Sequence, residues 1–257
     1  MSLDRDPELA LCADDIPDQH RVDGIDGLSF FSIDQPTDVT DEVARAVKVL
    51  LARHLFNGES DELIAGEVED LDSAYGLQKF WGSLRIPSYL FAIDDWSQLR
   101  GFLGTEIEMS YHGEYNRPQG EKFVLDRLRT NVYQFLFWAC VDPDFRSRGV
   151  MEAMMGAATT FVDSYAKVFK IRAMDQVVNV KSLDDRMADY WRDKHGFENL
   201  GVSPNGLHYL SRRLQVEPQG NLGPDLADRL IQEARRLHPD DTDFVSALGH
   251  LVGRSQE

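Results

Sequence analysis

The chain has 257 residues, enough for one domain with additions or for two small ones. Apolar residues make up 42% of it, which fills a sizeable core, and no unbroken apolar run has the length of a membrane span. A formal charge of −17 repels nucleic acid and anionic membranes, so neither is expected as a partner.

The acid is mainly Asp (29, against 15 Glu) and the base mainly Arg (20, against 7 Lys). That balance suits a dense, hydrated surface of the kind found in salt-loving organisms, and equally an ordinary acidic protein. It would also steer a cationic partner such as an amine. The opening Met1-Ser2-Leu3-Asp4-Arg5-Asp6 has no apolar signal core, so a cytoplasmic address is expected. Cys12 stands in a polar stretch and Cys140 in an apolar run, which argues against a disulfide. The seven histidines show no ligand spacing, and no metal is expected.

In chain order, residues 1–26 are polar without a period and read as a loose tail. Leu28 to Ile33 reads as a strand. Asp38 or Thr40 can cap a helix with apolar positions Val43, Ala46, Val47, Leu50 and Leu51, stopped by Gly58. A less regular helical stretch is expected from about Glu67 to Leu84. Ser88 to Ile93 and Leu99 to Met109 read as a hairpin around Asp94-Asp95-Trp96-Ser97. Residues 110–131 read as a long irregular loop, with Tyr111, His112, Glu114 and Tyr115 as candidate acceptor contacts or plain polar surface groups. Strands follow at Val132–Val141 and Lys170–Val178, helices at Gly149–Phe169 and Leu183–His195, and two closing strands at Phe197–Val202 and Leu207–Leu210. Val216 to Pro224 is a linker. Leu226, Leu230, Ala234 and Leu237 mark a short amphipathic helix, and Asp243–Val252 another. The expected organisation is a tail (1–26), a mixed α/β domain (27–214) and a helical C-terminal extension (215–257). Residues 223–252 are a candidate homodimer contact.

One segment points to chemistry. The apolar run Phe135-Leu136-Phe137-Trp138-Ala139-Cys140-Val141 ends at Asp142-Pro143, and a basic turn, Arg146-Ser147-Arg148-Gly149, leads into a helix. A helix N-terminus offers unpaired N–H groups and partial positive charge. Arg146 and Arg148 add full charges, and together these make a site for a phosphate or pyrophosphate. It is not a Walker loop, having no Gly-Lys-Ser/Thr, and it lacks the three-glycine dinucleotide fingerprint. The plain alternative is a basic surface turn before a helix.

The segment resembles the phosphate-binding motif of the GNAT superfamily of acyl-CoA-dependent N-acyltransferases. Its Arg/Gln-x-x-Gly-x-Gly/Ala pattern is matched by Arg146-Ser147-Arg148-Gly149-Val150-Met151 after Val141-Asp142-Pro143. A second hallmark, a helix running into Gly-Phe-Glu, is matched by Tyr190-Trp191-Arg192-Asp193-Lys194-His195-Gly196-Phe197-Glu198. The resemblance covers residues 28 to 213 and implies a mixed, mostly antiparallel twisted sheet flanked by helices. It implies acetyl-CoA or another acyl-CoA as co-substrate and an amine, small or on a peptide or protein, as acceptor. It also implies that backbone groups of Ala139, Cys140 and Val141 pair with the pantetheine arm, and that N–H groups of Ser147 to Met151 hold the pyrophosphate.

The sequence departs from the family pattern in several places. Met151 replaces the last Gly/Ala and crowds the helix start. Asp185 stands where many members have a CoA-contacting Asn, and Arg192 where many have an acid-donating Tyr, with Tyr190 two residues earlier. Phe135 takes the position of the usual base. Asp175, near its strand's end, is the substitute base, and Tyr190 is the second candidate catalytic residue. The plain alternatives are a solvated strand-end acid, a core aromatic, and deprotonation through water. A GNAT fold that binds acyl-CoA without turnover is the competing function.

Overall fold

The structure, a computed structural model, describes residues 6–11, 21–22, 25, 27–33, 40–55, 83–110, 121–125, 128–169, 173–181, 185–202 and 207–216. Beyond these it describes the isolated helical positions Asp228, Ile231, Gln232, Arg235, Arg236, Val245 and Gly249. The chain divides into two compact units, Met1–Gly76 with Pro87–Thr105 and Phe137–Thr159, and Leu77–Ile86 with Glu106–Leu136 and Thr160–Glu257.

The elements are β1 (Arg21–Val22), β2 (Leu28–Ile33), α1 (Asp41–His54), β3 (Ser83–Asp94), β4 (Leu99–Ser110), β5 (Glu121–Leu125), β6 (Leu128–Val141), α2 (Val150–Phe169), β7 (Ala173–Lys181), α3 (Asp185–His195), β8 (Glu198–Val202) and β9 (Leu207–Gln215). The mixed, mostly antiparallel sheet with flanking helices is the architecture expected from the sequence. Among the described residues, no helix is long and apolar enough to cross a membrane.

In the first unit the hydrogen-bonded order is β1-β2-β3-β4-β6. β2 and β3 are antiparallel, and their register sets Phe31 opposite Phe91, whose rings stack at 4.6 Å. Such cross-strand aromatic pairs fix register as well as adding burial. Thr40 caps α1, its Oγ1 accepting from the Val43 N–H at 3.3 Å. Asp41 and Glu42 lie in the first turn and Arg53 and His54 in the last, matching the helix dipole. The buried Val43, Ala46, Val47, Leu50 and Leu51 form one helical stripe against Phe31, Ile33, Tyr89, Phe91, Ile93, Phe102 and Cys140.

Residues 6–11, within the stretch expected to be a loose tail, are packed. Leu9 and Leu11 are buried in this same core. Ala10 bridges Gln98, the Leu11 N–H donates to Ser97 O and the Leu99 N–H to Leu9 O, while Arg53 pairs with Asp6 and Glu8. The signal was Leu9-Ala10-Leu11, two apolar residues at strand spacing inside a polar stretch. β3 begins at Ser83, so the helix expected to reach Leu84 does not; the rest of that expectation, 67–82, lies outside the described residues.

In the second unit the order is β6-β7-β9-β8, with β5 paired to β6. The irregular loop expected over 110–131 holds β5 and the start of β6, an antiparallel hairpin whose register runs from Glu121↔Val132 to Leu125↔Leu128. β7 runs parallel to β6 from Tyr133↔Asp175 to Leu136↔Val178. β9 pairs antiparallel with β7 along its whole length, from Ala173↔Gln215 to Lys181↔Leu207. α3 ends at Gly196, whose φ of 69° carries the left-handed cap and whose N–H donates to Arg192 O at 3.1 Å. Leu226, Leu230, Ala234 and Leu237, the stripe of the expected C-terminal helix, lie outside the described residues.

Candidate functional site

β6 ends at Val141 and the chain turns at once. Asp142 caps a single 3-10 turn, Pro143–Phe145, its Oδ1 accepting from the Asp144 N–H at 3.0 Å. Proline at the first helical position gives up an N–H that had no use there. Phe145 turns into the core, while Arg146, Ser147 and Arg148 are exposed. Arg146 is steadied by a bond from its Nε to Val141 O at 3.0 Å.

The backbone then turns sharply. Arg146 is extended, with φ −64° and ψ 156°, whereas Ser147 has φ 61° and Gly149 φ 80°. An extended residue followed by a left-handed one makes a tight turn, and turns of this kind can present backbone N–H groups to an anion. Among the described residues, the N–H groups of Ser147 to Met151 have no backbone acceptor, and the first bond into the helix is Ala153 N–H to Gly149 O at 2.9 Å. A left-handed serine costs on the order of 1 kcal/mol, so the conformation at Ser147 is held by its surroundings. At Gly149 a Cβ would meet, among the described residues, Ile25 Cδ1 at an ordinary 3.5 Å. The glycine is needed there for its positive φ, not for a close approach.

Met151 does not crowd the loop. It is buried with Val150, Met154, Met155 and Ala158, the inward stripe of α2. A close approach occurs instead at Gly101 of β4, where a Cβ would lie 3.2 Å from Val150 Cγ1 and 3.3 Å from Met154 Cε. Glycine there lets α2 lie close on the sheet. Ala139, Cys140 and Val141 are the last residues of β6, beyond the part registered with β7. Trp138, just before them, has φ 49°, a local break in the strand's conformation. The Cys140 thiol is buried and donates to Leu50 O at 3.8 Å; burial pushes its pKa up to about 12. Its burial argues against a nucleophile's role.

A buried charge cluster lies beneath this loop, and sequence reasoning missed it. Arg100, Asp94 and Asp142 are 5%, 8% and 7% exposed. Arg100 donates from Nε to Asp94 Oδ2 at 2.8 Å, from one terminal nitrogen to Asp142 Oδ2 at 2.8 Å, and from the other to Gln98 Oε1 at 2.7 Å. Arg100 O also accepts from the Asp142 N–H at 2.8 Å. Asp94 Oδ1 takes the Trp96 and Gln98 N–H groups, closing the β3–β4 turn. The Phe145 ring centroid lies 4.9 Å from the guanidinium carbon of Arg100 and 4.7 Å from that of Arg148. His54, at the end of α1, feels Asp142, Arg146 and Asp144; burial above all holds its pKa below the ordinary value.

The other predicted residues belong to the second unit. Asp175 of β7 is bound by Arg213 at 2.8 Å. The Tyr190 hydroxyl lies 3.1 Å from His195 Nε2, inside an aromatic group with Trp191 and Phe197. Asp185 is the first residue of α3. Arg192 is a surface residue paired with Asp189 and Asp193. A polar line in the sheet also escaped the sequence reading. Gln176 Nε2 donates to Gln134 Oε1 and Arg212 Nε to Gln176 Oε1, both at 2.6 Å, and Arg212 donates to His195 O at 2.9 Å. Gln134 next to the apolar run Phe135–Val141 was the available signal; Gln176 and Arg212 stand among other polar residues of their strands.

No family model matches the chain, and no curated protein matches it. Similarities to solved structures exist. A protein of Pyrococcus horikoshii OT3 is 11% identical, with 74% of this chain and 99% of that one covered at a TM-score of 0.48. An acetyltransferase of the GNAT family from Staphylococcus aureus Mu50 is 12% identical, with 72% and 99% covered at 0.43. A GNAT family N-acetyltransferase from Escherichia coli in complex with CoA is 17% identical, with 76% and 84% covered at 0.44.

Proposed function

We propose that this protein is an acyl-CoA-dependent N-acyltransferase, with acetyl-CoA as the simplest donor and an amine as acceptor. The observation that carries the reading is the loop from Arg146 to Gly149. Its left-handed residues Ser147 and Gly149, its N–H groups without a backbone acceptor among the described residues, the start of α2 and two arginines all favour a pyrophosphate. The segment Ala139–Val141 leads up to that loop as extended backbone, with N–H and C=O groups suited to the amide-bearing pantetheine arm. The thioester supplies an activated acyl carbon. This chain's part is to hold donor and amine in line and to take the amine's proton.

Asp175 and Tyr190 are the proposed proton-handling groups and Asp185 a further donor contact. Arg213 pairs with Asp175 at 2.8 Å and holds its side chain in place. That same ion pair favours the second reading, a donor-binding module without turnover, because a proton on Asp175 would weaken it.

Calorimetric titration with CoA and acetyl-CoA tests the donor site, and thiol release across an amine panel tests turnover. Gly149→Glu is expected to abolish donor binding, since the residue would be strained at positive φ and would set a carboxylate against phosphate. Unchanged affinity in that variant would overturn the site. Turnover that disappears in Asp175→Asn or Tyr190→Phe selects the enzyme over the module.

A further inference from the structure

The cluster around Arg100 is expensive to build. Burying charges costs several kcal/mol per ion unless each is paired and hydrogen-bonded. Here the conditions are met: three guanidinium nitrogens each meet an oxygen at 2.7 to 2.8 Å, two of those oxygens being carboxylate. An apolar core would hold β3 and β4 together equally well. What the cluster adds is a directional link to Asp142, the residue at which the loop begins.

That link is made twice. Arg100 holds the Asp142 side chain through Oδ2 and its main chain through the N–H. With Oδ2 engaged, Oδ1 is left facing the Asp144 N–H, which starts the 3-10 turn. The turn delivers Phe145 to within 4.9 Å of the Arg100 guanidinium, and Arg148 reaches the same ring. One side chain therefore fixes where the loop starts, where its one buried ring sits, and indirectly where Arg148 lies.

Resting on the donor-site reading above, we propose that Arg100 is a positioning residue for the donor loop. It touches no substrate. It sets Asp142 and Phe145 so that the N–H groups of Ser147 to Met151 converge on a phosphate.

The test uses the full chain and CoA as the probe. Arg100→Met keeps the length of the side chain without its charge or fork, and Arg100→Lys restores charge alone. Expected is a loss of CoA affinity of about ten-fold or more in Arg100→Met, with partial recovery in Arg100→Lys. The KM for acyl-CoA should rise with no change in the KM for the amine, and amide hydrogen exchange should speed up over residues 144–152. Leu51→Ala, in the core of α1, serves as the control: it should lower the melting temperature without changing CoA affinity. If Arg100→Met does not fold, Asp142→Asn gives the same readouts at constant volume. Wild-type affinity in the folded variants overturns the positioning role alone. No CoA binding by the wild-type protein overturns the donor site and the positioning role together.

Discussion

Gly104→Ala is the sharpest structural probe of the strand that leads to the loop. A Cβ at Gly104 of β4 would lie 2.3, 2.6 and 2.8 Å from Cε2, Cδ2 and Cζ of Phe137 on β6. Ordinary carbon contacts fall at about 3.5–4.0 Å, so the ring must retreat by roughly 1 Å or more. Its retreat is hindered, because Tyr89 meets it edge-on at 6.3 Å and Trp138 at 4.9 Å. Overpacking of this kind costs about 1–3 kcal/mol. For a chain of this size that is a fall in melting temperature of roughly 2–4 °C per kcal/mol. Urea unfolding followed by tryptophan fluorescence should show a lower midpoint at unchanged slope. The double variant Gly104→Ala/Phe137→Ala should be less destabilised than the sum of its parts, by about 1 kcal/mol or more. CoA affinity should fall in Gly104→Ala and partly return in the double variant, since a displaced ring presses on Trp138 and the Ala139–Val141 segment. A Gly104→Ala protein as stable as wild type, or a strictly additive cycle, would refute this account of the contact.

Two further outcomes follow from buried groups. In a Cys12→Ser background, Cys140 should resist a thiol-specific disulfide reagent near pH 8 and react fully once unfolded, because burial pushes its thiol to about 12; equal rates in both states would refute its burial. His54 has its folded pKa lowered, chiefly by burial, from an ordinary 6.5. The unfolded chain therefore takes up the proton first, so this part of the stability is complete above 6.5 and is lost as pH falls toward the folded value. His54→Gln should flatten the fall in urea midpoint below about pH 6.5, and an unaltered pH slope would remove the assignment.

Periodic features were legible in the sequence, and conditional ones were not. The α1 stripe, the hairpin at Asp94–Ser97, the strand before Asp142 and the Gly196 cap each rest on local pattern, and all appear. The segment Glu121–Leu125 was hidden because a short strand in polar surroundings is decided by its partner, here Leu128–Val132. Leu9 and Leu11 were hidden for the same reason. At the loop, glycine at 149 and the two arginines were readable, while the left-handed turn at Ser147 was not, because serine carries no preference that demands it. Met151 misled, since a residue at a helix start has two sides and the sequence does not say which one is buried. Arg100, Gln134 and Gln176 stood in plain view as polar residues within strands, but their partners are distant in the chain.

The charges around the loop sharpen the role given to Arg100. Asp94 and Asp142 pair with the buried Arg100, while Arg146 and Arg148 are exposed at the loop with Asp144 and Glu152 nearby in the chain. A phosphate bound here depends on the N–H groups and on where the two outer arginines sit. Without the Arg100 side chain, two carboxylates would remain beneath the anion with no guanidinium between them, and the turn would keep only its main-chain bond from the Asp142 N–H to the carbonyl of residue 100. Geometry and charge fail together in Arg100→Met. In Arg100→Lys the charge persists and the three-way fork is lost, so the difference between those two variants separates the electrostatic part of donor binding from the part due to aim.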